Sequence, residues 1–115
     1  MFAPPLARLI EALTKLPTIG PKTAQRLAYH ILRLAPQDAS GLAQAILDAR
    51  SLTRYCSVCW NLTDVDPCAI CSNPQRTTGV ICVVEDPRDV VAMERTREVK
   101  GKYHVLHGEI GRAHV

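Results

Sequence analysis

A chain of 115 residues, 47% hydrophobic and 22% charged, suits one domain or two very small ones and is too apolar for a disordered segment. It lacks any apolar run of about 18 residues, which excludes a membrane-spanning helix, and Met1–Leu6 lacks the basic-then-apolar pattern of a secretory leader, so a cytoplasmic protein is expected. The net charge of +3 divides unevenly, +4 over residues 1–55 and −1 over residues 56–115, which makes the first half the better candidate for touching nucleic acid.

In chain order, Leu6, Leu9, Ile10, Leu13 and Leu16 recur at helical spacing and predict a helix over 6–16, with Pro4 and Pro5 at its start. The segment Pro17-Thr18-Ile19-Gly20-Pro21 breaks it. A second helix is predicted over 21–34, with Pro21 in its first position and Ala24, Leu27, Ala28, Ile31 and Leu34 on one face; Pro36 ends it. Asp38 is expected to cap a third helix over 39–53, whose apolar stripe is Leu42, Ala45, Ile46, Ala49 and Leu52. Residues 80–84, Val-Ile-Cys-Val-Val, read as a strand buried on both faces. Asp86-Pro87 starts a helix through about Arg95, and Tyr103–Leu106 reads as a further strand, which together begin a parallel α/β unit.

Between these halves lie Cys56-x-x-Cys59 and, after an eight-residue gap, Cys68-x-x-Cys71. Two such pairs supply four soft ligands for one tetrahedral zinc ion, with no position left for water, so the site is expected to be structural. A cytoplasmic setting disfavours the alternative of two disulfides. Cys82, inside an apolar run, is expected to be a buried small hydrophobe. His104 and His107 are expected to be surface or half-buried strand residues, and Trp60 and Ile70 to form the finger's small core.

Leu16–Ala24 resembles the helix-hairpin-helix motif. Gly20 is expected to permit a backbone conformation that would strain other residues. The amides opening the second helix then face outward as a phosphate site. Thr18, where many such hairpins carry glycine, still offers its amide and hydroxyl. Lys22 and Arg26 lie one turn apart on one face and can reach the same phosphate backbone without reading sequence. An ordinary αα-hairpin with solvated basic residues is the plainer alternative.

The order of these parts, together with Gly20–Ala28, Val80–Pro87 and Tyr103–Gly108, resembles the RecR family of bacterial recombination mediators over residues 3–108. The resemblance implies an α+β chain in several parts: a helix-hairpin-helix DNA-binding region over 1–54, a four-cysteine zinc finger over 55–75 and the incomplete start of an α/β Toprim domain over 78–108. It implies a nucleoid-associated protein that is not an enzyme. Such a protein works with RecO and RecF to load recombinase on gapped DNA, touches single or double strands, and forms ring-like homo-oligomers. Lys22 and Arg26 match DNA-contacting hairpin positions, with Thr18 and Gly20 as further candidate DNA contacts of the same hairpin, and Cys56, Cys59, Cys68 and Cys71 match the zinc ligands. Glu85 matches the acid that Toprim enzymes use with metal, although the Asp-x-Asp pair that partners it is absent from this sequence. Two other readings are a fragment of a Toprim-type metal-dependent nucleotidyl enzyme and a zinc-stapled protein-interaction module. Residues 109–115, Glu-Ile-Gly-Arg-Ala-His-Val, look like a translated sequencing adapter, so a C-terminally shortened chain with a non-native tail is expected, with 78–115 poorly packed.

Overall fold

The computed structural model describes residues 1–77 and 79–109, so the greater part of the suspected adapter tail lies outside the described residues. The chain forms two compact units, Met1–Leu47 and a second from Asp48 onward.

The first unit holds α1 (Pro4–Thr14), α2 (Pro21–Arg33) and most of α3 (Pro36–Leu52). Proline in the first turn of α1 and α2 forfeits an amide that would have no helical partner in any case. Past α1 the amides of Lys15 and Leu16 turn back onto the carbonyls of Ala12 and Leu13 at 3.3 and 3.1 Å. Ile10, Ala24 and Ala28 are buried where α1 meets α2, with Leu6, Leu9, Leu13 and Ile19 packed around them. The two alanines let the helices approach closely.

Three expectations for this region are corrected. The third helix begins at Pro36, not at residue 39: the Ala35 carbonyl accepts from the amides of Asp38 and Ala39 at 2.9 and 3.1 Å, so Asp38 sits inside the first turn instead of capping it. There its charge still interacts favourably with the positive end of the helix dipole. The apolar stripe of α3 does not face a core, since no residue of this helix is buried and Leu42, Ile46 and Leu52 are exposed. Leu27 of α2 is likewise exposed.

The second unit opens with a short antiparallel ribbon, β1 (Arg54–Tyr55) against β2 (Leu62–Thr63), which brackets the first cysteine pair. It continues with β3 (Ile81–Val84), α4 (Pro87–Thr96) and β4 (Lys102–Val105). Strands β3 and β4 are parallel, registered Ile81 to Lys102 and Val84 to Val105, and α4 is the crossover that a parallel pair requires. Asp86 caps α4 by accepting from the Arg88 amide at 2.8 Å, while Asp89 accepts from the Asp86 amide at 3.0 Å, a reciprocal capping box. Val84, Val90, Tyr103 and Val105 form the core, with Ile70, half-buried Cys82, Met93 and Val99 against it. The described part of 78–115, expected to pack poorly, thus has a small core of its own. The strand expected to be covered on both faces is covered on one: Val84 is buried, whereas Ile81 and Val83 are exposed. No described helix is long and apolar enough to cross a membrane.

A polar clamp closes the edge of this core. The Arg76 guanidinium pairs with the Glu94 carboxylate and donates to the carbonyls of Val99 (3.1 Å) and Gly101 (3.2 Å). Tyr103 Oη donates to Glu94 Oε2 at 2.5 Å. Gly101 is buried, and a Cβ there would collide with the Val80 carbonyl oxygen, so no larger residue fits where the chain enters β4. Hydrogen bonding to Arg76 holds the Glu94 carboxyl below its ordinary value, against the opposing effect of burial. We predict that Glu94→Ala costs about 2 kcal/mol in urea unfolding, and Tyr103→Phe about 1 kcal/mol. Because the folded value of Glu94 is the depressed one, its contribution is complete above the ordinary glutamate value of about 4.3 and is lost as pH falls through the folded value. A wild-type stability as flat below that pH as that of Glu94→Ala would contradict the assignment.

Candidate metal centre and nucleic-acid interface

The tight turns of Cys56–Cys59 and Cys68–Cys71 bring the four sulfurs within 4.8 Å of one another. Cys56, Cys59 and Cys68 are buried and Cys71 is half-buried. Sγ of Cys56 lies 3.9 Å from Sγ of Cys71, and Sγ of Cys59 lies 3.7 Å from Sγ of Cys68. A disulfide would hold its sulfurs about 2.05 Å apart, and all four cysteines are free. Zinc–sulfur bonds of about 2.3 Å in a tetrahedron place the sulfurs roughly 3.8 Å apart, which the observed pairs fit. The amides of Cys68 and Cys71 point at the sulfurs of Cys56 (3.3 Å) and Cys68 (3.5 Å), the outer donors that thiolate ligands accept.

The thiols are unequally poised. Burial disfavours the Cys56 thiolate, but the backbone amides of Cys59, Cys68 and Val58 outweigh it and bring this thiol down to about 6. Burial pushes Cys59 up to about 11. Burial and then the neighbouring sulfurs of Cys59 and Cys68 push Cys71 upward as well. A bound dication supplies the charge that holds all four as thiolates.

The finger is tied to the parallel strands. The Val105 amide donates to the Cys59 carbonyl at 2.8 Å, and His107 Nε2 lies 2.6 Å from the Trp60 carbonyl oxygen. Ile70 packs against both the sulfurs and the strand core. Trp60, expected in a mini-core, is instead exposed with a left-handed backbone, φ 67°. His104 is half-buried on β4 and His107 is exposed.

In the first unit the hairpin between α1 and α2 reverses expectation about its glycine. Gly20 has φ −83° and ψ 176°, a conformation open to any residue, and a Cβ there would meet nothing within 4 Å. The left-handed residue is Thr18, at φ 68°, strained for a β-branched side chain. What Gly20 contributes is openness, because it places no side chain over the first turn of α2. Ile19 packs against the buried cluster of Ile10, Ala24 and Ala28 between the two helices. Lys22 and Arg26 are exposed, with Arg26 Nη2 3.5 Å from Thr23 Oγ1. Together with Gln25 and Tyr29 they line a shallow depression of about 440 Å³. Gln25 and Tyr29 are not among the residues expected from the sequence, although the spacing 22, 25, 26, 29 marks a single helix face.

Glu85 stands exposed just past the end of β3, and its carbonyl accepts from the Gly108 amide at 3.2 Å. Among the described residues the four cysteines are the group of three or more His, Cys, Asp or Glu placed to hold a metal ion.

These parts define a class: a helical hairpin followed by a four-cysteine zinc finger and a Toprim-type strand–helix–strand. The profile described as RecR, helix-hairpin-helix matches residues 6–50, the RecR profile for a zinc finger domain of the four-cysteine type matches 53–73, and that of the Toprim domain matches 79–115. The chain belongs to the RecR family and carries its structural zinc site. The protein named Recombination protein RecR of Heliobacterium modesticaldum is 62% identical over 109 residues, 95% of this chain and 55% of the relative. Its namesake in Carboxydothermus hydrogenoformans is 60% identical over 107 residues, 93% of this chain and 54% of the relative. That of Pelotomaculum thermopropionicum is 59% identical over 109 residues, with 95% and 54% covered. The chain thus spans about half the length of the curated relatives it matches.

Two outcomes are predicted. The purified chain carries one zinc, and chelation speeds hydrogen exchange at the Val105 amide, because its acceptor is the carbonyl of a zinc ligand; unchanged exchange there would break the proposed link between finger and strand. Gly20→Ala costs about 0.5–1 kcal/mol in thermal unfolding, because Gly20 is the N-cap of α2, where alanine is the poorer residue even though the backbone conformation admits it. A loss well beyond this cap preference would show that a strained conformation at Gly20 is needed after all.

Proposed function

We propose that the chain binds DNA through the α1–α2 hairpin. The observation that carries this reading is the face on which Lys22 and Arg26 stand beside the start of α2, where Gly20 provides no side-chain cap and the first-turn amides remain for an outside acceptor. Phosphate oxygens are that acceptor, and the two cations supply charge without base readout. Thr18 sets the turn that aims these amides. Family membership supports a role in recombination and repair. Within it, the chain acts without catalysis as a mediator alongside RecO and RecF, loading recombinase on gapped DNA as part of a homo-oligomer. The non-catalytic reading is supported by the acids next to Glu85: Asp86 and Asp89 are committed to capping α4. A cytoplasmic, nucleoid-associated location accords with this role.

The test is a titration of fluorescently labelled gapped DNA at several salt concentrations. Lys22→Ala/Arg26→Ala is expected to weaken binding at least about tenfold and to flatten the log–log salt dependence by about 2, one for each lost phosphate contact. Equal affinity and slope in the double variant would overturn the hairpin as the DNA site.

A further inference from the structure

The chain has one tryptophan, three tyrosines and one phenylalanine. A sequence so poor in aromatic rings would be expected to bury them, yet Trp60 is 48% exposed and Tyr55 52% exposed. They stand together, with ring centroids 6.1 Å apart, and the His107 imidazole meets Tyr55 edge-on at 4.8 Å. Backbone bonds hold the cluster. The Cys56 amide donates to the Asn61 carbonyl at 2.7 Å, the Trp60 amide donates to the Cys56 carbonyl at 2.9 Å, and His107 Nε2 lies 2.6 Å from the Trp60 carbonyl oxygen. Trp60 and His107 are both held in the left-handed region, at φ 67° and 57°. Solvent-facing rings fixed in this way are preorganised, so little side-chain freedom is lost when something stacks on them.

A second observation stands beside the first. A cavity of about 220 Å³ lies against Tyr55, lined also by Arg50, Thr53, Arg54 and Leu62. Two arginines and a tyrosine therefore line it. The Arg54 side chain is 60% exposed and its pairing with Asp66 is loose, at 3.6 Å. Asp66 already accepts from the Ser57 amide at 2.8 Å and the Ser57 hydroxyl at 2.9 Å, so its charge is satisfied if the guanidinium turns away. Exposed pairs of this kind are weak.

We infer that Arg50, Arg54, Tyr55 and Trp60 form a binding site for unpaired nucleic-acid strand. The guanidinium groups hold phosphates, and the rings stack on bases. Two cations and a flat apolar ring around one cavity repeat the chemistry of a nucleotide, anionic at one end and a π-face at the other. A duplex keeps its base faces stacked inside, so the rings select single strand. The inference rests on the reading of this chain as a DNA-binding protein, but it uses none of the hairpin's residues.

The sole tryptophan makes the test direct. The zinc-loaded chain is titrated with a thymidine oligonucleotide of about 20 residues, and separately with a duplex of the same length, while Trp60 fluorescence is followed. Single strand is expected to quench the emission saturably, and duplex to leave it largely unchanged. Tyr55→Ala is expected to lower the single-strand affinity about tenfold and Tyr55→Phe to retain it. Arg50→Ala/Arg54→Ala is expected to weaken binding and to flatten the salt dependence by about 1.4. Those two arginines are exposed, so this variant carries the test even if Tyr55→Ala does not fold; zinc content and thermal melting verify each sample. Lys22→Ala/Arg26→Ala is expected to keep the quenching, whatever it does to duplex binding, so failure of the hairpin reading shows separately. Absent quenching, equal quenching by duplex, or quenching indifferent to the loss of Arg50 and Arg54 would overturn the inference, and the last would leave the rings as a contact for protein.

Discussion

Four sulfur atoms within 4.8 Å of one another are the constraint on which the second unit depends. The apolar material there is slight. The largest fully buried side chains are Val105 and Cys56, and the one tryptophan lies outside. Cysteine sulfur therefore fills interior space that leucine or phenylalanine would occupy in a larger domain. Four thiols so close resist ionisation together: burial and neighbouring sulfurs raise Cys59 and Cys71, while three amides lower Cys56. A dication removes this conflict and makes the turns cohesive. The benefit extends beyond the finger, because the Cys59 carbonyl receives the Val105 amide and thereby locates β4, which in turn carries the register of β3. A metal site of this kind substitutes for core volume in a small fold.

The parts of the structure legible in the sequence are those whose causes are local. Proline at a first helical position, most of the i, i+3, i+4 stripe of α1 and α2, the Asp86-Pro87 start of α4 and the paired cysteines each act within a few residues and appear where the pattern places them, with Leu16 and Leu27 the exposed exceptions. What the sequence hid depends on partners. The stripe of α3 has a helical period but no residue of that helix is buried, since period states which face is apolar and not whether anything covers it. The run at 80–84 is apolar on both faces, yet only one receives α4 and the strand core. The two-residue strands β1 and β2 are too short to leave an alternating pattern.

The hairpin shows the same limit at a single backbone angle. Glycine at position 20 invites the inference of left-handed strain, but that strain falls on Thr18. Composition marks which residues tolerate positive φ, whereas the closure of the turn between two fixed helices decides which one adopts it. Trp60 misleads for a related reason. A lone tryptophan beside cysteines reads as core until the turn is seen to hold its backbone left-handed and its ring outward.

The two proposed nucleic-acid surfaces rest on different physics. The proposed partner of the amides and cations around the start of α2 is phosphate, which every strand presents in both paired and unpaired form; such contacts weaken steeply with salt and are indifferent to base faces. Tyr55 and Trp60 offer rings whose partners are withdrawn wherever a duplex is intact. Stacking depends little on salt, so its share of the affinity grows as phosphate contacts are screened. On the two proposals together, the general hold on DNA would come from the hairpin and a preference for unpaired strand from the rings beside the four cysteines.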